Sequence, residues 1–298
     1  MDREKWLAER RTGIGGSDCA AALALSSYKS PYQLWAEKRG LLEDDEPETE
    51  RMAFGKVMEA VIADRYAVTR GVRVRRSNQI LRHPKYPWMI ANIDRRIEGE
   101  RRGLECKNVD VFAHRYGEWG NEEGSDEVPI EYALQVVHYM IVTDLPVFDI
   151  AACIGGNRLQ VYTIERDAEL EELVIDSEAQ FWQKVETGEE PEFEYEASSA
   201  IGLLKRMHPG SDGTTIELDE GIQHWHEVRL DCAEHIRRYT DAQDAASAHI
   251  LEAMGNAAIG MLPSGGHYRR KEIVRKRHTV EETKYIDCRF IKPKEPKE

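Results

Sequence analysis

The spacing of apolar residues changes along the chain, and each change predicts an element. Residues 4–11 read as a short helix, and Thr12-Gly13-Ile14-Gly15-Gly16 reads as a tight loop. Ser17-Asp18 then looks like an N-cap opening a small helix through Leu25. Over 51–69, Phe54, Met58, Val61, Ile62 and Tyr66 fall on one helical stripe. Segments 72–81, 88–97 and 103–109 read as strands, the last two joined by a charged turn at 98–102. A helix follows at 130–143, then a hairpin of 147–154 with 159–164 turning at Gly155-Gly156-Asn157. A helix at 167–187 closes the unit before Pro191. Strands interleaved with helices predict an α/β fold, with a mixed central sheet flanked by helices.

A polar stretch at 194–213, holding Pro209-Gly210 and Asp212-Gly213, marks the best boundary. The expected organisation is a core at 1–195, a linker at 196–213 and a C-terminal extension at 214–298. In that extension Leu218, Ile222, Trp225, Val228, Cys232, Ile236, Tyr239, Ala246, Ile250 and Met254 fall mostly at three- and four-residue steps. Such a stripe reads as the packing face of a long helix. A basic strand pair is expected over 266–290.

Composition narrows the class. With 41% hydrophobic and 32% charged residues, the 298-residue chain is of ordinary globular type. No apolar run approaches the roughly 20 residues that cross a bilayer, and the N-terminus does not read as a signal peptide. Five scattered cysteines (19, 106, 153, 232 and 288) contain no CxxC pair, so neither a disulfide framework nor a metal cluster is expected. A cytosolic, reduced protein is the expectation. The net charge of −14 argues against a protein that coats nucleic acid with its whole surface. It leaves room for a local basic channel: 43–50 is acidic, 70–76 reads Arg-Gly-Val-Arg-Val-Arg-Arg, and 266–298 carries eleven Lys/Arg against six Asp/Glu.

The chemistry centres on Leu104-Glu105-Cys106-Lys107. In a strand, residues i and i+2 share a face, so Glu105 and Lys107 point together while Leu104 and Cys106 point the other way, into the core. Asp94 ends the apolar strand eleven residues earlier, and a hairpin would set it beside Glu105. Two carboxylates with the backbone carbonyl of Cys106 suit a hard cation, Mg²⁺ or Mn²⁺. Such an ion polarises a phosphodiester and acidifies water, which Lys107 would orient while offsetting the developing charge. E-x-K alone is common by chance; the aspartate at the end of an apolar strand is what makes the pattern informative. Glu59, in the preceding helix, is a further candidate ligand. Gln135 and Tyr139, at i and i+4 on one helical face, are candidates to hydrogen-bond phosphate or water. Each of these three, taken singly, would be ordinary helix surface.

Together these residues resemble the YqaJ-like viral recombinase family, which includes the lambda-type exonucleases of the PD-(D/E)xK nuclease superfamily. The resemblance begins at Trp6 and covers about two thirds of the chain. It runs through Trp6-x3-Arg10-x3-Ile14-Gly15-Gly16-Ser17-Asp18, Gly55-x3-Glu59, Asp94, Glu105-x-Lys107 and Gln135-x3-Tyr139. It implies a restriction-endonuclease-like nuclease core and Mg²⁺-dependent 5′-to-3′ digestion of linear double-stranded DNA. It also implies a ring-shaped homo-oligomer (a trimer favoured), partnership with a single-strand annealing recombinase protein, and a phage or prophage protein at work in the bacterial host cytoplasm. Two departures stand out. The family often has Pro-Asp-Gly where this chain has Ile93-Asp94-Arg95, and the extension beyond about residue 213 exceeds the lambda enzyme.

With the resemblance in view, Gly15, Gly16, Ser17 and Arg10 read as a pocket for a 5′-terminal phosphate. Glycines let backbone N–H groups approach an anion, and a guanidinium matches it. A plain capped turn is the commoner use of such a sequence, and Arg11 is a weaker candidate. The competing readings are an endonuclease on the same core, a CRISPR-associated nuclease of iron–sulfur type, and a catalytically silent DNA-end-binding scaffold.

Overall fold

Eight consecutive strand residues, Arg102–Val109, form the long central strand that organises the core. The structure is a computed structural model and describes residues 8–42, 49–77 and 79–274. In chain order the first unit contains α1 (Gly16–Ala22), α2 (Pro31–Lys38), α3 (Glu50–Arg70), β1 (Val74–Arg76), β2 (Leu81–Arg82), β3 (Ile90–Ala91) and β4 (Arg95–Ile97). It continues with β5 (Arg102–Val109), α4 (Val111–Tyr116), α5 (Ile130–Thr143), β6 (Val147–Ile154), β7 (Arg158–Glu165), α6 (Ala168–Thr187) and α7 (Ala200–Met207).

The main sheet runs β1-β4-β5-β6-β7, with β5 and β6 parallel and the other pairs antiparallel. A parallel pair needs a crossover, and the chain makes it through α5. One sheet face packs on α3 through Ile62, Ala63 and Tyr66, which meet Leu104, Ala151 and Cys153. The other packs on α5, where Leu134, Val137 and Met140 meet Phe148, Ile150 and Ala152. Both faces are therefore covered, so Glu105 lies under α5 and is only 4% exposed. α3 is capped by Thr49, whose side chain accepts the Met52 N–H, and stops at Gly71 with φ 67°.

Several expectations are corrected. α1 is capped by Gly15, not Ser17: Asp18 sits in its first turn and reaches back to the Gly15 N–H at 3.3 Å. The predicted strand 72–81 divides into β1 and β2, and 88–97 into β3 and β4. β2 and β3 pair as a separate two-stranded sheet, and the chain bends through Asn92–Asp94 before β4 joins the main sheet. Only half of the α3 stripe is core: Ile62 and Tyr66 are buried, Phe54 is exposed because the sheet underlies only the C-terminal half, and Val61 is exposed because it lies about 100° round the helix from Ile62. Residues 200–207 of the expected linker are helical, since Ala200 and Leu203 find apolar cover, Leu203 in the cluster with Trp35 and Phe181. α2 and α4 have no counterpart in the sequence reading.

The chain divides into two compact units, at Met1–His208 and Pro209–Glu298. The second contains α8 (Glu220–Met254) and a hairpin of β8 (Ile259–Met261) with β9 (His267–Arg269). The hairpin starts earlier than the expected pair over 266–290, of which 275–290 lies outside the described residues. Among the described residues, none of α8 is buried, and within the second unit Met254 of the stripe lies against Gly260 of β8. Among the described residues, no helix is long and apolar enough to cross a membrane.

Candidate active site

β4 pairs with β5 only at Arg95–Leu104 and Arg96–Gly103, so beyond that point the ladder opens. Asp94 sits in the opening, and its Oδ2 accepts the Cys106 N–H at 2.9 Å. The N–H and C=O of one strand residue lie on the same edge, so the Cys106 carbonyl also faces this opening and not β6. Across the same strand, Glu105 and Lys107 turn under α5 into one hydrogen-bonded network. Lys107 Nζ donates to Glu105 Oε1 at 2.7 Å and to Gln135 Oε1 at 2.8 Å. Gln135 Nε2 donates to Glu105 Oε1 at 2.8 Å and to the Tyr139 hydroxyl at 2.9 Å. Lys107 also stands 4.8 Å from the centre of the Tyr132 ring.

The protonation pattern follows from crowding. Burial, and then the charges of Glu105 and Glu59, push Asp94 up to about 8, although the Cys106 N–H works against this. Burial opposes the charge on Lys107, but Glu105 and Asp94 outweigh it and raise its pKa, so it stays an ammonium. Burial and Glu105 raise Tyr139, which remains a neutral phenol. Glu105 Oε2 is buried with no hydrogen-bond partner. Leaving a buried carboxylate oxygen unpaired costs about 1–3 kcal/mol or more, which a cation would relieve. Raised Asp94, orphaned Glu105 Oε2 and the Cys106 carbonyl edge are a hard-oxygen donor set that fits a divalent ion of the Mg²⁺ type.

The structure brings Asp94, Glu105, Lys107, Gln135 and Tyr139 together and draws Glu59 aside. Glu59 Oε1 is 2.5 Å from Arg95 Nη1, which also donates to the Asp94 carbonyl at 2.8 Å. Arg95 is a site residue that sequence reasoning missed; its signal was the departure from Pro-Asp-Gly, because the position after the aspartate carries a guanidinium instead of a glycine. Asp94, Glu105 and Glu59 do not all lie within 4.8 Å of one another. Cys19, His138 and Glu178 do, at a fully buried point between α1, α5 and α6. There His138 Nδ1 meets Glu178 Oε1 at 2.7 Å and Nε2 meets the Ile90 carbonyl at 2.9 Å. Both ring nitrogens face oxygen acceptors, which is the pattern of an imidazolium paired with a carboxylate rather than of a metal ligand.

At the glycine loop, Arg10 Nη2 donates to Asp18 Oδ1 at 2.9 Å and to Ser17 Oγ at 3.2 Å, while Lys38 Nζ holds Asp18 Oδ2 at 2.7 Å. Burial opposes ionisation of Asp18, but Lys38, Arg10 and Lys29 outweigh it and hold the carboxyl well below the usual range. Ile14 ties the loop to the Asp94 arm: its N–H donates to the Trp88 carbonyl and its C=O accepts from Ile90. Gly16 abuts the Tyr139 ring, joining the loop to the acid–lysine network. Beside Tyr132 opens a cavity of about 470 Å³ whose lining includes Arg51, Phe112, Tyr116 and Trp119. Among the described residues the cysteines do not assemble: Cys19, Cys106, Cys153 and Cys232 are all free thiols.

The core resembles solved nucleases. The alkaline exonuclease LHK-Exo from Laribacter hongkongensis matches with a TM-score of 0.50 and 18% identity, over 62% of this chain and 93% of that one. Its complex with dAMP matches with a TM-score of 0.50 and 20% identity, over 68% and 96%. At such identities these likenesses show the fold alone, a central mixed sheet flanked by helices as in LHK-Exo. The sequence matches the YqaJ-like viral recombinase domain over residues 5–146. The uncharacterized protein YqaJ of Bacillus subtilis (strain 168) is 34% identical over 273 residues, which span 90% of this chain and 82% of that protein. The chain belongs to the YqaJ-like viral recombinase family.

Proposed function

We propose that the chain is a metal-dependent exonuclease that degrades linear double-stranded DNA from its ends, 5′ to 3′. The observation that carries this reading is the pairing of Asp94 and Glu105, with an orphaned carboxylate oxygen, beside a lysine fixed by Glu105 and Gln135. Family membership supports it. Asp94, Glu105 and the Cys106 carbonyl would hold the ion, taken to be Mg²⁺ with Mn²⁺ as substitute, and Glu59 would join on leaving Arg95. When bound, the ion supplies Lewis-acid polarisation of the scissile phosphate and acidifies water.

The chain's own residues do the rest. Lys107, kept charged, orients the attacking water and offsets charge that develops on the phosphate oxygens. Gln135 holds Lys107 and Glu105 in one hydrogen-bonded network, which limits the reorganisation needed during reaction. Tyr139 anchors Gln135 from the next turn of α5 and offers a neutral O–H to a phosphate oxygen. Arg10, with Ser17 and the Gly15–Gly16 backbone, takes the 5′-terminal phosphate. The aromatic cavity beside Tyr132 accepts unpaired bases by stacking, which is tolerant of sequence.

A ring-shaped trimer, supported by the family and by the exposed Phe54, Val57 and Val61 of α3, would keep the enzyme on its strand. A single-strand annealing protein is the partner that would consume the exposed strand. The deciding experiment compares linear with closed circular duplex in Mg²⁺, with separate labels at the 5′ and 3′ ends. End-dependent loss that starts at the 5′ label is expected. Cutting of circles would replace the reading with an endonuclease, and binding without cleavage with a scaffold.

A further inference from the structure

The second unit carries an unused surface. α8 spans 35 residues, roughly 52 Å at 1.5 Å per residue, and none of its residues is buried. Trp225, Ile236 and Tyr239 are 63%, 66% and 68% exposed. We propose that α8 pairs with α8 of a second copy of this chain as an antiparallel two-stranded coiled coil.

The first argument is the period. Ile222, Trp225, Cys232, Ile236, Tyr239, Ala246, Ile250 and Ala253 take eight of the ten core positions of one heptad frame, and Arg229 and Gln243 take the other two. Apolar residues on such a frame form the 3.5-residue seam of a left-handed supercoil. The second is charge. Glu220, Glu227, Asp231, Glu234, Arg237, Arg238, Asp241, Asp244 and Glu252 all fall at the three heptad positions that face away from such a seam. Arg229 is the lone Asp, Glu, Lys or Arg between Glu220 and Met254 that falls on the seam. The third is length, since the next-longest helix among the described residues, α3, has 21 residues and packs on the sheet.

Orientation follows from size and charge. The seam is wide at its start, with Trp225 and Arg229, and narrow at its end, with Ala246 and Ala253. In parallel, two Trp225 would share one layer and two Ala253 another, and Arg229 would face Arg229. In antiparallel register, Ile222 meets Ala253, Trp225 meets Ile250, Arg229 meets Ala246, and Ile236 meets Tyr239, so spacing stays even and the guanidiniums separate. The pair has two-fold symmetry and is self-complementary.

The test uses the full chain with C232S and C288S, so that no native thiol in the second unit reacts. Chains carrying I222C and chains carrying A253C, on different tags, are co-expressed and treated with a short bis-maleimide. The mixed product should exceed either self-linked product at least tenfold, and I236D in both chains should abolish it while far-UV circular dichroism stays unchanged. Self-linking of I222C alone would overturn the antiparallel assignment. No linking in either case, with helix content intact, would overturn the pairing. The readout reports the helix pair whatever ring the nuclease cores form.

Discussion

Gly16 lies flat against Tyr139: a Cβ at this glycine would stand 2.4 Å from Tyr139 Cε1 and 2.9 Å from Cζ. The start of α1 and the catalytic face of α5 are thus in contact at a point where no side chain fits. Gly16→Ala should displace the phenol and, through Gln135, loosen Lys107. Overpacking of this kind costs roughly 1–3 kcal/mol. Thermal unfolding and nuclease rate should both fall, and Tyr139→Leu in the same chain should recover stability but not rate. If Gly16→Ala is silent in both assays, the contact has no functional weight.

Lys107→Ala and Asp94→Asn should each abolish cleavage while DNA binding and folding persist. Losing one such positioned donor costs on the order of 10²–10³ in rate. Lys107→Ala also leaves Glu105 Oε1 with Gln135 alone, so the melting temperature serves as the control. Single-turnover rates at saturating Mg²⁺ make the comparison, and near-normal rates in either variant would remove the site.

Asp94 sits at about 8 without metal because it is buried beside Glu105 and Glu59. A cation needs the carboxylate, so ion binding should release a proton from this pair below that pH. Affinity for Mn²⁺ should therefore weaken as pH falls below about 8, by roughly tenfold per pH unit for one proton, and level off above it. Calorimetric titrations between pH 6 and 9, in buffers of different ionisation enthalpy, count that proton directly.

His138 gives a second, opposite pH signature. Burial lowers its pKa, but Glu178 and the Ile90 carbonyl outweigh burial and raise it overall. A raised histidine contributes stability that is fully present below its unfolded value of about 6.5 and is lost as pH rises through the folded value. Urea unfolding should show stability declining across that window. His138→Gln should flatten the slope and cost about 3–5 kcal/mol, because Glu178 would lose its counter-charge.

Arg10→Ala should erase any preference for 5′-phosphorylated over 5′-hydroxyl duplex, with on the order of a tenfold to hundredfold effect on the phosphorylated substrate. Lys38 still neutralises Asp18 in this variant, so folding should survive. Initial rates on the two substrates decide. A preference that Arg10→Ala leaves intact would put the phosphate elsewhere.

What the sequence revealed was local. Glu105 and Lys107 share a face because alternation alone dictates it, and Asp94 follows because an apolar strand ends there. The Gln135–Tyr139 step was visible from helical spacing, although only the fold brings it over Lys107. Arg95 escaped notice because its partner, Glu59, is 36 residues away in sequence, so the departure from Pro-Asp-Gly marked a changed turn without saying what the guanidinium meets. The Cys19–His138–Glu178 group was equally hidden, since three elements must pack before its members meet. α7 was read as linker because Pro209-Gly210 and its polar surroundings masked two short apolar anchors, Ala200 and Leu203. The apolar stripe of α8 was in plain view, yet a stripe does not say whether its cover belongs to the same molecule.

The gap in the ladder between β4 and β5 has a consequence for how this site can drift. In the proposed centre the contribution of position 106 comes from its main chain, through an N–H that fixes Asp94 and a C=O beside it. Its side chain points away, into the half-buried packing under α3. Residue identity at 106 is therefore answerable to fit alone, and an alanine scan would score the position as silent. The change that reaches its chemistry is replacement of the Cys106 peptide N–H by an ester oxygen, which deletes the donor to Asp94 and leaves the side chain in place.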